Sequence, residues 1–386
     1  MHNTMKHFDN HIVFTTIFRP ELLYALVENL KQFDHLEDTC VWVVGDRKTP
    51  VSVFELCNDI TSKGLFTNYL DCDCQENLAN RFSPFYERLP WNNETRRNIG
   101  YLCALEQGCV RLLSIDDDNW PTNDDFIGGH SQTGSIWEGM LAQDASGFYN
   151  VCQHLEMVPS REVFPRGYPF RLRGSTAAPT FARAPESTII GVTAGLWLNE
   201  PDIDATTWLN GKVKAMSYVG EPTIPLAQST WSPINTQNTS VIRDLIPAFL
   251  CVPMGWDVPG GKIQRYGDIW GGYFLQSVLR DTTWVVSFGK PLVDHRRNPH
   301  DYVDDLRHEF WGAILTDLLL KLLKDDFNPR ANAVTDRMLE LSEFILGRVI
   351  PQLPSWCPEQ MCEFMRWTAG NIEAWVKVCR RVGSLQ

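Results

Sequence analysis

The sequence predicts an α/β protein, with a sheet flanked by helices first and a helical region last. Three observations carry this. Apolar β-branched runs alternate with segments of helical period through the first 115 residues. Residues from about 120 to 300 are rich in Pro, Gly, Thr and Trp, without clear periodicity. From Asp304 onward the helical period returns.

His11–Thr16 (H-I-V-F-T-T) is apolar, β-branched and closed by small polar residues, so it reads as the first strand. Pro20–Phe33 has apolar residues at helical spacing, with proline near its start. Cys40–Val44 (C-V-W-V-V) reads as a second buried strand, closed by Gly45 and Asp46, and Leu65–Tyr69 as a third. Glu94–Gly108 reads as a helix and Val110–Ile115 as the strand after it. This alternation argues for parallel neighbours. The middle of the chain is expected to be long irregular stretches that build a site. Leu318–Asp326, Met338–Ile350 and Met361–Val378 read as two or three amphipathic helices. Their apolar faces suit self-association or a cap on the sheet, and a homo-oligomer is expected.

Bulk properties exclude some classes. The 386 residues carry 35 Lys and Arg against 47 Asp and Glu, a formal charge of −12. An acidic chain without basic clusters does not suit nucleic acid or an anionic membrane surface. No apolar run approaches the ~20 residues that cross a bilayer. The N-terminus lacks the apolar stretch of a signal peptide, so a cytoplasmic location is expected. The eleven cysteines include C-x-C at Cys72 and Cys74, and Cys357 with Cys362. Neither pair has a partner at zinc-site spacing, so reduced thiols are expected. The 14 Trp and 20 Phe suit sugar or base stacking and a large core equally.

The strongest local signal is L-L-S-I-D-D-D-N-W, residues 112–120. Parallel sheets place ligand sites at the carboxyl ends of strands, where Asp116, Asp117 and Asp118 stand. Three adjacent carboxylates repel, and a divalent cation would supply the missing charge. Asp116 and Asp118, as D-x-D, can face one Mn²⁺ or Mg²⁺ that also binds diphosphate oxygens. A solvated acidic loop or a helix cap is the plainer alternative. Ile12–Thr16, with Thr15 near its end, would open a nucleotide-binding half-sheet, and Arg96 and Arg97 could reach a phosphate.

Together these residues resemble the GT-A type of nucleotide-diphospho-sugar transferase. Three further stretches sharpen the likeness: R-G-Y-P-F-R-L-R (Arg166–Arg173), G-L-W-L-N-E-P-D-I-D-A-T-T (Gly195–Thr207) and R-Y-G-D-I-W-G-G-Y (Arg265–Tyr273). With E-L-S near Leu341 and N-I-E-A-W near Trp375, they resemble the reversibly glycosylated polypeptides, or UDP-arabinopyranose mutases, over residues 95–379.

The resemblance implies a GT-A-like mixed sheet flanked by helices, with a C-terminal helical appendage. With the helical period returning near Asp304, the chain is expected to divide into a catalytic nucleotide-sugar-binding domain, 1–300, and a helical region, 301–386. The resemblance also implies a nucleoside diphosphate sugar, most simply a UDP-sugar, and Mn²⁺ or Mg²⁺, with no flavin and no NAD. Family members interconvert pyranose and furanose UDP-arabinose and become glycosylated on the arginine that falls here on Arg166. Arg173 is expected to matter for activity, and Arg171 is an extra charge. For the carboxylate below the sugar, Asp268 is the first choice, with Asp202 and Asp204 behind it. A helix cap is the plainer reading of Asp268. His295 is expected to complete the metal shell with Asp116 and Asp118, or to be structural. Asp46, Arg97, Asp117 and Asn238 are expected substrate contacts, and Trp197, Trp270 and Tyr168 stack on sugar or fill the core.

The chain departs from the family near its N-terminus, where V-V-G-D-R-K-T-P replaces a D-G-D-type turn. Asn119 replaces a cysteine, and Pro222–Asn238 diverges. Three functions therefore compete: a UDP-sugar mutase, a glycosyltransferase using an external acceptor, and a non-catalytic partner subunit.

Overall fold

The computed structural model describes residues 7–174 and 178–384. The strands expected early in the chain form one half of a large sheet. They are β1 (Asn10–Thr15), β2 (Thr39–Val44), β3 (Phe66–Leu70) and β4 (Arg111–Ile115), all parallel. β1 and β2 are almost wholly buried, as their near-continuous apolar sequences require when helices cover both faces. Helices α1 (Leu22–Gln32), α2 (Ser52–Ser62) and α3 (Arg97–Glu106) connect them.

The middle of the chain differs from expectation. It supplies the other half of the sheet, through β5 (Asn119–Pro121), β6 (Ile189–Asn199), β7 (Thr223–Pro225), β8 (Asn238–Ile242) and β9 (Trp284–His295). The main order is β7-β9-β6-β8-β4-β1-β2-β3. β8 runs antiparallel to both β4 and β6, so the sheet is mixed. Glycine hid β6: a side chain at Gly195 would stand 2.2 Å from the Asn238 amide of β8, so packing requires the residue that strand propensity disfavours. β9 carries Gly289 and Pro291, and its pairing with β6 shifts register there.

The C-terminal helices are α5 (Tyr302–Asp325), α6 (Val334–Phe344) and α7 (Glu359–Gly383), with α4 (Gly267–Val278) ahead of β9. Asp301 caps α5, accepting from the amides of Val303 and Asp304. The helices bury their apolar faces against the chain's own fold: Trp375 packs on Phe85 and donates to the Pro247 carbonyl at 2.8 Å. They therefore cap the sheet, and α5 also reaches the site. All eleven cysteines are unpaired, seven of them buried. No described helix is long and apolar enough to cross a membrane.

Candidate active site

A cleft of about 410 Å³ opens at the carboxyl ends of β1, β2 and β4. Its lining holds eight carboxylates but only four guanidiniums, those of Arg97, Arg166, Arg265 and Arg297. A cleft so acidic repels an anionic ligand unless a cation comes with it.

The aspartate end is built by the turn after β4. Arg97, from the start of α3, lies beneath it and donates to Asp116 Oδ1 at 2.5 Å. Its other N–H groups meet the carbonyls of Glu94, Ile115 and Thr236 and the hydroxyls of Ser114 and Thr15. Arg97 is thus committed to the protein, and Arg96 is buried over the Trp91 ring. Asp117 accepts from Thr16 Oγ1 at 2.6 Å, and burial beside two more carboxylates pushes it up to about 7.

Asp118 faces His295, and sheet pairing brings them together: β5, immediately after the aspartates, pairs antiparallel with the end of β9 and sets His295 opposite Asn119. His295 Nδ1 donates to the Glu200 carbonyl at 2.5 Å, so its Nε2 points at Asp118 Oδ2, 3.5 Å away. Nε2 meets the carboxylate only through a proton or a metal ion between them. Burial opposes charge on both groups, but the pair outweighs it: Asp118 is held below the usual carboxylate range and the His295 imidazole is raised. An imidazole with its other nitrogen fixed on a carbonyl, beside a carboxylate, is a donor set that fits Mn²⁺. The expected trio is not gathered, because Asp116 turns to Arg97 instead. Among the described residues no group of three His, Cys, Asp or Glu is placed to hold an ion alone.

The other end is built around Arg166, which is 6 % exposed. Its Nε and Nη2 donate to the two Asp202 oxygens at 2.9 and 3.0 Å. Its Nη1 and Nη2 donate to the two Asp268 oxygens at 3.1 and 2.9 Å, and Nη1 also meets the Arg265 carbonyl. All five N–H groups have acceptors. Arg166 outweighs burial at Asp202 and lowers that carboxyl to about 2.

Local sequence explains the clamp. Gly167 has φ +84°, and a side chain there would stand 2.2 Å from Ile269, next to Asp268. Only glycine lets the Arg166 loop lie against the start of α4. Arg265 also takes a left-handed φ, 63°, which aims its carbonyl at Arg166. Its own guanidinium pairs with Glu309 at 2.9 Å and Asp305 at 3.2 Å, both from α5. Asp268 sits in the first turn of α4; its carboxylate lies on Arg166, and its Oδ1 also accepts from the Ile269 backbone amide at 2.9 Å, so it serves the helix end and the clamp together.

The structure separates other expected residues from the cleft. Arg173 donates to Asp204 at 2.6 Å and lies over the Phe170 ring, and Asp204 caps a short helix at Ala205–Leu209. Asn238 bridges His130 and the Leu196 carbonyl inside the sheet. Trp197, Trp270 and Tyr168 are core. Thr15 and Asp46 do line the cleft, and Asp46 accepts from the backbone amide of Asn93. Sequence reasoning missed Glu94, Arg265, Arg297, Asn298, His300, Asp305 and His308, all of which line it. Asn298 donates to Asp118 through its backbone and lies beside Asp117. Part of this was in view: Arg297, Asn298 and His300 follow His295 closely in V-D-H-R-R-N-P-H, residues 293–300.

Comparisons with known proteins bear on this arrangement. The sequence model of one family, Reversibly glycosylated polypeptide, matches residues 67–383. UDP-arabinopyranose mutase 3 of Arabidopsis thaliana is 27% identical over 262 residues, 66% of each chain. UDP-arabinopyranose mutase 2 of the same plant is 26% identical over 284 residues, 72% of this chain and 71% of its own. Among solved structures, glucosyl-3-phosphoglycerate synthase from Mycobacterium tuberculosis with Mn²⁺ and UDP-glucose superposes with a TM-score of 0.37 at 10% identity, over 80% of this chain and 79% of that one. S. aureus TarS 1-349 with UDP-GlcNAc gives a TM-score of 0.36 at 11% identity, over 97% and 91%. Both scores are too low to carry an argument about this chain. The match over residues 67–383 does carry one: the chain belongs to the reversibly glycosylated polypeptide family.

Proposed function

We propose that this protein is an enzyme, a metal-dependent mutase that interconverts the pyranose and furanose forms of a UDP-sugar of the UDP-arabinose kind. The carrying observation is a single acidic cleft with a cation-seeking pair, Asp118 and His295, at one end and the Arg166–Asp202–Asp268 clamp at the other. The family and the names of its relatives support the substrate class.

Asp118 and His295 would hold Mn²⁺ or Mg²⁺. When bound, the ion supplies the positive charge that lets a diphosphate enter among eight carboxylates. Thr15 and Asp46 line the β1–β2 side, suited to ribose or base. Asp268 takes the sugar end. Ring change needs the bond from anomeric carbon to phosphate to break, which builds positive charge on that carbon. A carboxylate beside it stabilises the charge or attacks it. Arg166 keeps Asp268 oriented and anionic. Arg173 acts at a distance, by fixing Asp204 and the loop after Arg166.

Sugar attachment to Arg166 itself needs one clamp carboxylate to swing away and take a proton, because every N–H already has an acceptor. Transfer to an external acceptor is the second reading, favoured by the charged Arg171 beside Asp317 near the clamp loop.

The test is incubation of purified protein with Mn²⁺ and UDP-arabinopyranose, ring forms being followed by chromatography without acceptor. The mutase gives a furanose peak that approaches equilibrium. Release of free UDP with no ring change would overturn the mutase in favour of transfer or hydrolysis.

A further inference from the structure

Of the four guanidiniums in the cleft, Arg97, Arg166 and Arg265 each hydrogen-bond a carboxylate. Arg297 does not. Its side chain is only 5 % exposed, its Nη1 has no hydrogen-bond partner, and Nη2 comes no nearer to Asp305 than 3.8 Å, too far for a hydrogen bond. Asp305 is already shared by Arg265 at 3.2 Å and His300 at 2.9 Å. The group is nevertheless fixed in place. It lies 5.4 Å from the Trp208 ring centre and 5.7 Å from that of Tyr302, and those rings stack on each other. It stands two residues after His295, in the same cleft lining. A buried, positioned guanidinium with one N–H group unsatisfied and only a distant carboxylate for its charge is costly unless a ligand brings an acceptor.

We infer that Arg297 is the anchor for the terminal phosphate of the nucleoside diphosphate, and that it retains the diphosphate while the sugar is detached. This rests on the proposed function. When the bond between the anomeric carbon and the phosphate oxygen breaks, the electron pair stays on that oxygen and the diphosphate gains a negative charge. A mutase must hold this anion until a sugar oxygen has changed places and the bond re-forms. If the anion departs, water adds to the anomeric carbon, and free sugar, UDP and a proton result. Arg297 meets the charge as it develops and disfavours departure. Its guanidinium offers two parallel donors to phosphate oxygens.

The test compares UMP and UDP binding by calorimetry, with Mn²⁺ and with EDTA, for the wild-type chain, Arg297→Gln and Arg297→Lys. UMP lacks the terminal phosphate and serves as the internal control. Arg297→Gln is expected to keep UMP affinity within about twofold and to lose about tenfold or more of the preference for UDP. Arg297→Lys, which keeps the charge, retains part of that preference. In turnover, Arg297→Gln is expected to release more free UDP for each ring change than the wild type. An unchanged UDP-over-UMP ratio would overturn the inference, as would an equal fall for both nucleotides, which marks a structural role. A wild-type chain that binds neither nucleotide sinks the proposed function, and this inference with it.

Discussion

The two ends of the cleft differ in one physical respect. At the Arg166 end every donor has an acceptor: five N–H groups meet two carboxylates and a carbonyl. At the aspartate end charges outnumber partners. Asp117 is pushed up to about 7, and Asp118 faces His295 Nε2 across 3.5 Å, too long for a direct hydrogen bond. The first end is finished by the fold alone. The second leaves acceptors that the fold alone satisfies only in part. A buried ion pair that completes itself fixes geometry, whereas one that does not is where binding free energy can be gained. Under the proposed function, the aspartate end would take metal and diphosphate, and the clamp the sugar.

The largest effect should follow from removing chemistry at the finished end. Asp268→Asn is expected to lower kcat by roughly 10²–10⁴-fold while leaving UDP affinity within a few-fold, read from steady-state kinetics and calorimetry. An equal loss of UDP binding would place Asp268 at the wrong end. Next is the clamp itself. Arg166→Met leaves Asp202 and Asp268 without their cation, and a loss of about 3–5 kcal/mol in urea unfolding is expected. A loss below about 1 kcal/mol, the size of a surface pair, would mean the pair is not buried in solution.

At the unfinished end the expected change is conditional. Mn²⁺ with UDP should stabilise the wild type by about 2.7 kcal/mol at one hundred times Kd, seen as a rise in Tm, and His295→Ala, binding about tenfold more weakly, should lose about half of that rise or more. His295→Ala keeping the full rise would remove His295 from the metal shell. The smallest effect concerns pH. Asp202 sits at about 2 in the folded chain against an ordinary 3.8. Its contribution is therefore present above about pH 4 and lost as pH falls toward 2. Asp202→Asn should flatten the stability profile in that window, and a profile as steep as the wild type's would show that other carboxylates set it.

The clarity of the sequence follows the range of the forces involved. The strands β1, β2 and β4 and the turn carrying Asp116–Asp118 were legible, because burial and alternation are local. β6 and β9 were not, because Gly195 and Gly289 answer to the close approach of Asn238 and of the Pro222 carbonyl and weaken the local pattern. The clamp joins residues 36 and 102 positions apart, and no spacing rule reaches so far; only the family resemblance links Arg166 with Asp268 in sequence. Arg173, Asp204 and Asn238 look like site residues in sequence, yet they pair with each other or with the sheet. Arg297 was in plain view beside His295. What distinguishes it from the other three arginines of the cleft, a donor left without a partner, exists only in three dimensions.

The division of labour between the two ends is tested most directly by titrating Mn²⁺ with UDP into Asp268→Asn and His295→Ala side by side, each compared with the wild type. The account predicts near wild-type affinity for the first variant and a loss of about tenfold or more for the second. Equal losses in both, or a loss confined to Asp268→Asn, would contradict it.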